Sequence, residues 1–299
     1  MDKKIFSGLE NMGFDNIDDI EIYKRKTETL KEKNEETKEK SILYTKEVTC
    51  PVCDHVFKAT TVKSSAYKML KKDSDFFIRY SLINPYFYDV WICNSCGYAA
   101  MKIDFYTIRS IEVEKIQKSI TPKWQGKMYP EVYDVHIAIE RYKLSLLNYV
   151  ITNAKSSKKA INCIKLAWMY RLIDTEDAGE MEQIFLKEAL DGLSDAYYSE
   201  SFPIYGMDKY SAMYLIGELN RRIGHAENSL VWFSNVITTP NVAQNLKELA
   251  RDMKALIKEE EAALSALLAD TDNLNKISTE NFEVVENIKK PSFFSKMFK

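Results

Sequence analysis

The sequence predicts a mainly α protein with a small β part near its N-terminal end. Three observations carry that expectation. Glycine and proline are scarce, 9 and 7 among 299 residues, whereas a fold of many short strands would call for turn residues throughout. From about Asp104 onward, apolar residues recur at three- and four-residue steps, the spacing of one helix face. Before that point, two C-x-x-C pairs, Cys50-Pro51-Val52-Cys53 and Cys93-Asn94-Ser95-Cys96, lie among β-forming residues. The chain therefore divides into a charged segment (1–40), a cysteine-bearing domain with β-forming stretches (41–104), a helical domain (105–269), and a linker with a basic tail (270–299).

Residues 1–40 begin with a small apolar and acidic patch (Phe6, Leu9, Met12, Phe14, Ile17, Ile20) and continue in a run of Lys, Glu and Thr from Tyr23 to Lys40. That run has no apolar face to offset its ordering entropy, so it is expected to be mobile.

The ribbon segment is organised by its cysteines. Two C-x-x-C pairs supply four thiols to one tetrahedral metal, each pair giving two adjacent corners from a tight turn. Gly97 follows the second pair, and Asp54 holds the matching place after the first. Both residue types suit the left-handed φ that such turns require. The residues around the first pair (Ile42, Tyr44, Val48, then Val56, Phe57 and Val62) predict a hairpin with the knuckle at its tip. Tyr86 to Ile92 reads as the strongest strand of the chain, leading into the second pair, and Ser64–Asp75 as a short basic helix or loop. The 39 residues between the pairs exceed the ~15–20 of compact sites, so the insert is expected to carry structure of its own.

Helices are predicted over 104–120, 131–151, 157–173, 177–200, 208–223, 226–238 and 241–269. In the third, Ala160, Ile161, Ile164, Ala167, Trp168 and Leu172 fall on one face. Pro240 marks the boundary before the last. Met213, Ile216, Gly217, Asn220, Gly224, Ser229, Phe233, Val236 and Pro240 follow the tetratricopeptide spacing, with small residues where two helices cross and an aromatic knob on the second. A looser copy spans 142–170, and Ala160 and Ser229 stand close to two ~34-residue periods apart.

With Cys50-Pro51-Val52-Cys53, the run Asn84-Pro85-Tyr86-Phe87-Tyr88-Asp89-Val90-Trp91-Ile92-Cys93-Asn94-Ser95-Cys96-Gly97-Tyr98-Ala99 and the repeat-like segment 214–236, the chain resembles the bacterial domain-of-unknown-function family 2225 over roughly 41–240. The resemblance implies a zinc-ribbon-like part joined to tetratricopeptide-like helices. The family brings no activity with it.

The chemistry follows from the thiols. Cys50, Cys53, Cys93 and Cys96 are expected to hold one structural Zn²⁺, since four thiolates close the coordination sphere and leave no position for a substrate. A dithiol redox role is the alternative use of a C-x-x-C pair. Cys163, within an apolar helix, reads as a small core residue, and His55, His136 and His225 are scattered. No H-E-x-x-H, phosphate-binding glycine loop or nucleophile elbow occurs, so no reaction is assigned.

Nucleic acid is the other class of partner that a zinc ribbon suggests. Phe76, Phe77, Tyr80, Tyr86, Phe87, Tyr88 and Trp91 offer rings for stacking, with Lys68, Lys71, Lys72 and Arg79 for phosphates. Yet residues 41–104 carry eight basic and six acidic side chains, and a Zn(Cys)₄ centre of charge −2 brings the total to about zero. A neutral ribbon is a poor ligand for a polyanion. The whole chain, at −2, is steered to neither nucleic acid nor anionic membrane. No stretch approaches the ~18 apolar residues of a membrane span, and no signal-peptide core follows Met1–Gly8. The expectation is thus a cytoplasmic zinc-binding scaffold or adaptor that holds a protein or peptide on its helical-repeat surface. The tail adds Phe293, Phe294, Met297 and Phe298 among four lysines, a pattern that fits either a cap on the chain's own helices or an anchor in a partner's groove.

Overall fold

The computed structural model describes residues 39–263 and 265. The patch Phe6–Ile20, most of the charged run, the end of the last predicted helix, and the linker and tail lie outside them. Three two-stranded antiparallel sheets come first, then a succession of helices. Among the described residues no helix is long and apolar enough to cross a membrane.

Strands β1 (Leu43–Thr49) and β2 (Val56–Val62) pair without interruption, from Leu43↔Val62 to Thr49↔Val56, with the first C-x-x-C knuckle at the tip. The insert carries a second hairpin, β3 (Met69–Lys72) with β4 (Ile78–Tyr80). Ser64–Asp75 is therefore neither helix nor loop as a whole. A 3₁₀ turn at Ser64–Ala66 leads into a strand whose side chains are exposed. The third hairpin, β5 (Val90–Ile92) with β6 (Ala99–Met101), holds the second knuckle.

The strand expected over 86–92 is mostly something else. Pro85–Tyr88 forms a 3₁₀ turn and only Val90–Ile92 is strand. The cause lies just upstream: the Asn84 side chain accepts the Tyr86 amide at 3.1 Å, and Pro85 occupies the first helical position with its φ already set. Local capping overrides the β preference of Tyr-Phe-Tyr.

Among the described residues seven α-helices follow: α1 (Ser110–Ser119), α2 (Val135–Thr152), α3 (Ser156–Ile173), α4 (Glu176–Ser199), α5 (Lys209–Arg222), α6 (Ala226–Thr238) and α7 (244–263). The first starts six residues later than predicted. Turn bonds from Thr107 to the Asp104 carbonyl occupy that stretch, and a capping box starts the helix, the Arg109 amide donating to Glu112 at 2.7 Å. The short links after α2 and α3 turn on Asn153 and Asp174, both at positive φ.

One buried core runs from Val48 through Phe77, Trp91, Met101, Tyr142, Tyr149 and Trp168 to Leu219. Ribbon and helices therefore share an interior. Phe77 of the second hairpin stacks on Trp168 of α3 at 5.1 Å, and Tyr149 of α2 donates from its hydroxyl to Asp104 while accepting the Met101 amide. The turn of that hairpin is tied down by charge. Asp75, wholly buried, accepts from Trp168 Nε1 at 3.0 Å and from Arg171 Nη2 at 2.7 Å, and Arg171 also reaches Glu182 at 2.7 Å.

The helix pair α5–α6 meets as its small residues require. A Cβ on Gly217 would stand 3.0 Å from the fully buried ring of Phe233, and Ser229 Oγ donates to the Gly217 carbonyl. Ala160 also marks a close crossing, but its partner is Gly192 of α4, where a Cβ would lie 3.1 Å away.

Candidate metal centre

The two knuckles are built on the same backbone plan. In the first, the Asp54 amide donates to the Cys50 carbonyl at 3.0 Å and the Cys50 amide to His55 at 2.9 Å. In the second, Gly97 donates to Cys93 at 2.9 Å and Cys93 to Tyr98 at 2.8 Å. Asp54 (φ 57°) and Gly97 (φ 77°) are both left-handed, as their positions anticipated. Each turn thus closes after its second cysteine and aims two thiols the same way.

The sulfurs converge. Cys50 Sγ lies 3.6 Å from Cys96 Sγ, Cys53 Sγ lies 3.6 Å from Cys93 Sγ, and all four ligand atoms fall within 4.8 Å of one another. A tetrahedron with metal–sulfur bonds of ~2.3 Å has sulfur–sulfur edges of about 3.8 Å, so the cluster has the size of one four-coordinate site. Cys50, Cys93 and Cys96 are buried and Cys53 stands at the rim. The donor set could hold a metal ion, with no carboxylate or imidazole needed.

Electrostatics point the same way. Hydrogen bonding among the sulfurs drives the thiols apart: Cys93 is held low because Cys50 and then Cys96 donate to it, while Cys50 and Cys96 are pushed up by serving as donors. Four thiolates cannot coexist in this volume without a cation among them. A bound divalent ion would remove that conflict and deprotonate all four.

The same geometry disfavours a dithiol. The four sulfurs converge as one cluster, with 3.6 Å approaches between the pairs, and each pair sits in a hairpin rather than at a helix N-terminus. Cys163 is remote from the cluster, buried in α3, and its thiol is pushed up to about 12 by burial. His55, His136 and His225 are exposed and none joins the cluster.

Three supporting residues escaped the sequence reading. Gln117 Nε2 of α1 donates to the Val52 carbonyl at 3.1 Å, Thr121 Oγ1 to Cys96 at 3.0 Å, and Trp124 Nε1 to Asn94 at 2.9 Å. The segment after β6 thus clamps both knuckles by their backbone carbonyls. Partners 25 to 65 residues away leave no local pattern; only the polar interruptions in an otherwise helical stretch hinted at them. Of the rings considered for base stacking, Phe77, Tyr88 and Trp91 are buried. Arg79, a phosphate candidate, is engaged by Asp73 through Nε and Nη2.

A family model described as "Uncharacterized protein conserved in bacteria (DUF2225)" matches residues 43–257. No curated protein and no solved structure matches the chain.

Proposed function

We propose that this chain, which belongs to the bacterial family DUF2225, is a cytoplasmic adaptor: a zinc-stabilised ribbon fused to tetratricopeptide-like helices that hold a protein or peptide partner. Zinc is the metal that best suits four thiolates at tetrahedral spacing, and its role is structural because the sphere is closed.

The observation that carries the partner reading is a groove of about 560 Å³ on the helical side. Phe76 from the β3–β4 turn, Met207 and Tyr210 at the start of α5, and Leu246 and Leu249 of α7 line it. Half-buried apolar side chains contributed by separate elements suit an amphipathic segment laid between them. The runner-up readings, a nucleic-acid-associated ribbon and a thiol-redox protein, have less support. The ribbon is close to neutral, several of its rings are in the core, and neither C-x-x-C pair sits at a helix N-terminus.

The test is capture of partners from a bacterial lysate by the tagged chain and by Leu246→Glu. Loss of the same proteins in the variant, with zinc content and melting temperature unchanged, supports the adaptor reading. An identical set of captured proteins in both overturns the groove assignment. Capture of polynucleotide that falls steeply with salt would favour the nucleic-acid reading instead.

A further inference from the structure

A second cleft lies on the ribbon side, and it is lined by an arginine to which no carboxylate among the described residues is bonded. Arg141 of α2 is 6 % exposed. Its Nη2 donates to the Val90 carbonyl at 2.6 Å, its Nε has no partner, and no carboxylate bonds it among the described residues. The nearest acid in sequence, Glu140, is already taken by the Tyr129 hydroxyl and by Lys127. The rings of Tyr129 and Tyr133 flank the guanidinium at 4.8 and 4.6 Å and offset part of its desolvation. Burial lowers its pKa despite the nearby Tyr133, Tyr129 and Glu140. A buried charge left this way is costly unless something pairs with it.

The guanidinium lines a cavity of about 350 Å³ whose other wall is strand β2. The bonds flanking the β1–β2 ladder, Cys50 N to His55 O and Lys63 N to Ile42 O, fix which residues exchange hydrogen bonds with β1. They are the odd-numbered residues of β2, because bonded pairs alternate along an antiparallel ladder. Lys58 and Thr60 therefore turn their backbone N–H and C=O groups away from β1, and both residues line the cavity. An open strand edge beside a buried arginine that no carboxylate bonds is a site for a chain end: the edge takes backbone, the guanidinium takes a carboxylate in a bidentate fork.

We propose that this cleft receives the C-terminal carboxylate of an extended peptide, the peptide adding as a strand to the free edge of β2. The inference is independent of the helical groove and uses neither its residues nor the metal.

The zinc-loaded full chain, isotopically labelled, is titrated with acetyl-Ala-Val-Ala bearing a free carboxylate. The comparison ligands are its C-terminal amide, the free acid N-methylated at valine, and acetate alone. The free acid is expected to shift the Lys58 and Thr60 amides, and both the amide and the N-methylated peptide to bind at least tenfold more weakly. Arg141→Lys, which keeps the charge but loses the fork, should weaken the free acid by a similar factor. The controls on the ligand keep the test valid even where the variant folds poorly. Equal binding of acid and amide overturns the carboxylate assignment. Binding of acetate as tight as that of the peptide, with no effect of N-methylation, assigns the site to a small acid and overturns strand addition. Shifts confined to α5 and α7 overturn the site altogether.

Discussion

Gly97→Ala tests how the second knuckle is held, because two separate costs meet at that residue. Its φ of 77° lies in the left-handed region, where an L side chain costs roughly 1–2 kcal/mol. In addition, a Cβ there would stand 2.7 Å from Trp124 Cγ and 2.9 Å from two further atoms of that side chain. The indole cannot withdraw freely, since Nε1 is bonded to the Asn94 carbonyl at 2.9 Å. Releasing that bond adds about 0.5–1.5 kcal/mol. The sum is about 1.5–3.5 kcal/mol, and the parts are separable. In a Trp124→Ala background the clash is gone and only the backbone cost remains, so Gly97→Ala should fall to about 1–2 kcal/mol there. Urea unfolding of the zinc-loaded wild type, both single variants and the double variant gives the cycle. Strict additivity, or a Gly97→Ala cost below about 1 kcal/mol in the wild-type background, would refute the reasoning. Asp54, left-handed at the matching place, already carries its side chain into solvent, and Asp54→Gly is expected to be nearly neutral.

Metal analysis should find one zinc per chain, lost in Cys50→Ser/Cys53→Ser and retained in Cys163→Ser; full occupancy in the double variant would sink the assignment. Phe233→Ala should cost roughly 3–5 kcal/mol in denaturant melts, since the ring is fully buried against Gly217, and a loss under 1 kcal/mol would contradict that packing. Asp75→Ala removes the partner of Trp168 and Arg171 and should cost roughly 3–5 kcal/mol at pH 7. Burial alone would raise the Asp75 carboxyl, but Arg171 bonded to it and Arg222 nearby hold it below the usual range. Its stabilisation is therefore complete above the unfolded value of ~3.9 and is lost as pH falls through the lower folded one. The gap between wild type and Asp75→Ala should accordingly narrow in melts taken well below pH 4; a gap that widens in acid would reverse the sign of this account.

What could be read from the sequence was whatever repeats or recurs locally. Most of the helices were legible because they lay an apolar stripe at 3.6-residue spacing, and α3 because apolar residues fill most of it; the knuckles were legible because spacing alone brings two thiols together. The knob Phe233 and its glycine were legible through a repeat signature. The segment Tyr86 to Ile92 misled because composition spoke for strand, while the Asn84-Pro85 cap that decides its shape is two residues long. The β3–β4 hairpin was hidden in a basic stretch with exposed side chains, where no alternation marks a strand. Gln117, Thr121 and Trp124 reach back to carbonyls far upstream, and Asp75 is one aspartate whose importance comes from Trp168 and Arg171. Nothing near it in the chain announces them.

The interior shared by ribbon and helices bears on how the protein would be degraded. Units that open together are those that share a core, and here Phe77 on Trp168 and Tyr149 on Met101 leave no seam along which the metal-bearing part could come away. Withdrawal of a metal held by the four cysteines would then loosen α2 and α3 from beneath, so a protease would meet the chain as a whole rather than a dispensable end. Digestion after chelation should run from intact chain to small peptides without a helical remnant, whereas a persistent fragment beginning near residue 105 would show that the helices outlive the ribbon. If the four cysteines hold the zinc proposed above, loss of that ion would expose the whole chain to clearance rather than trim one end, and the amount of intact chain would then report on metal supply.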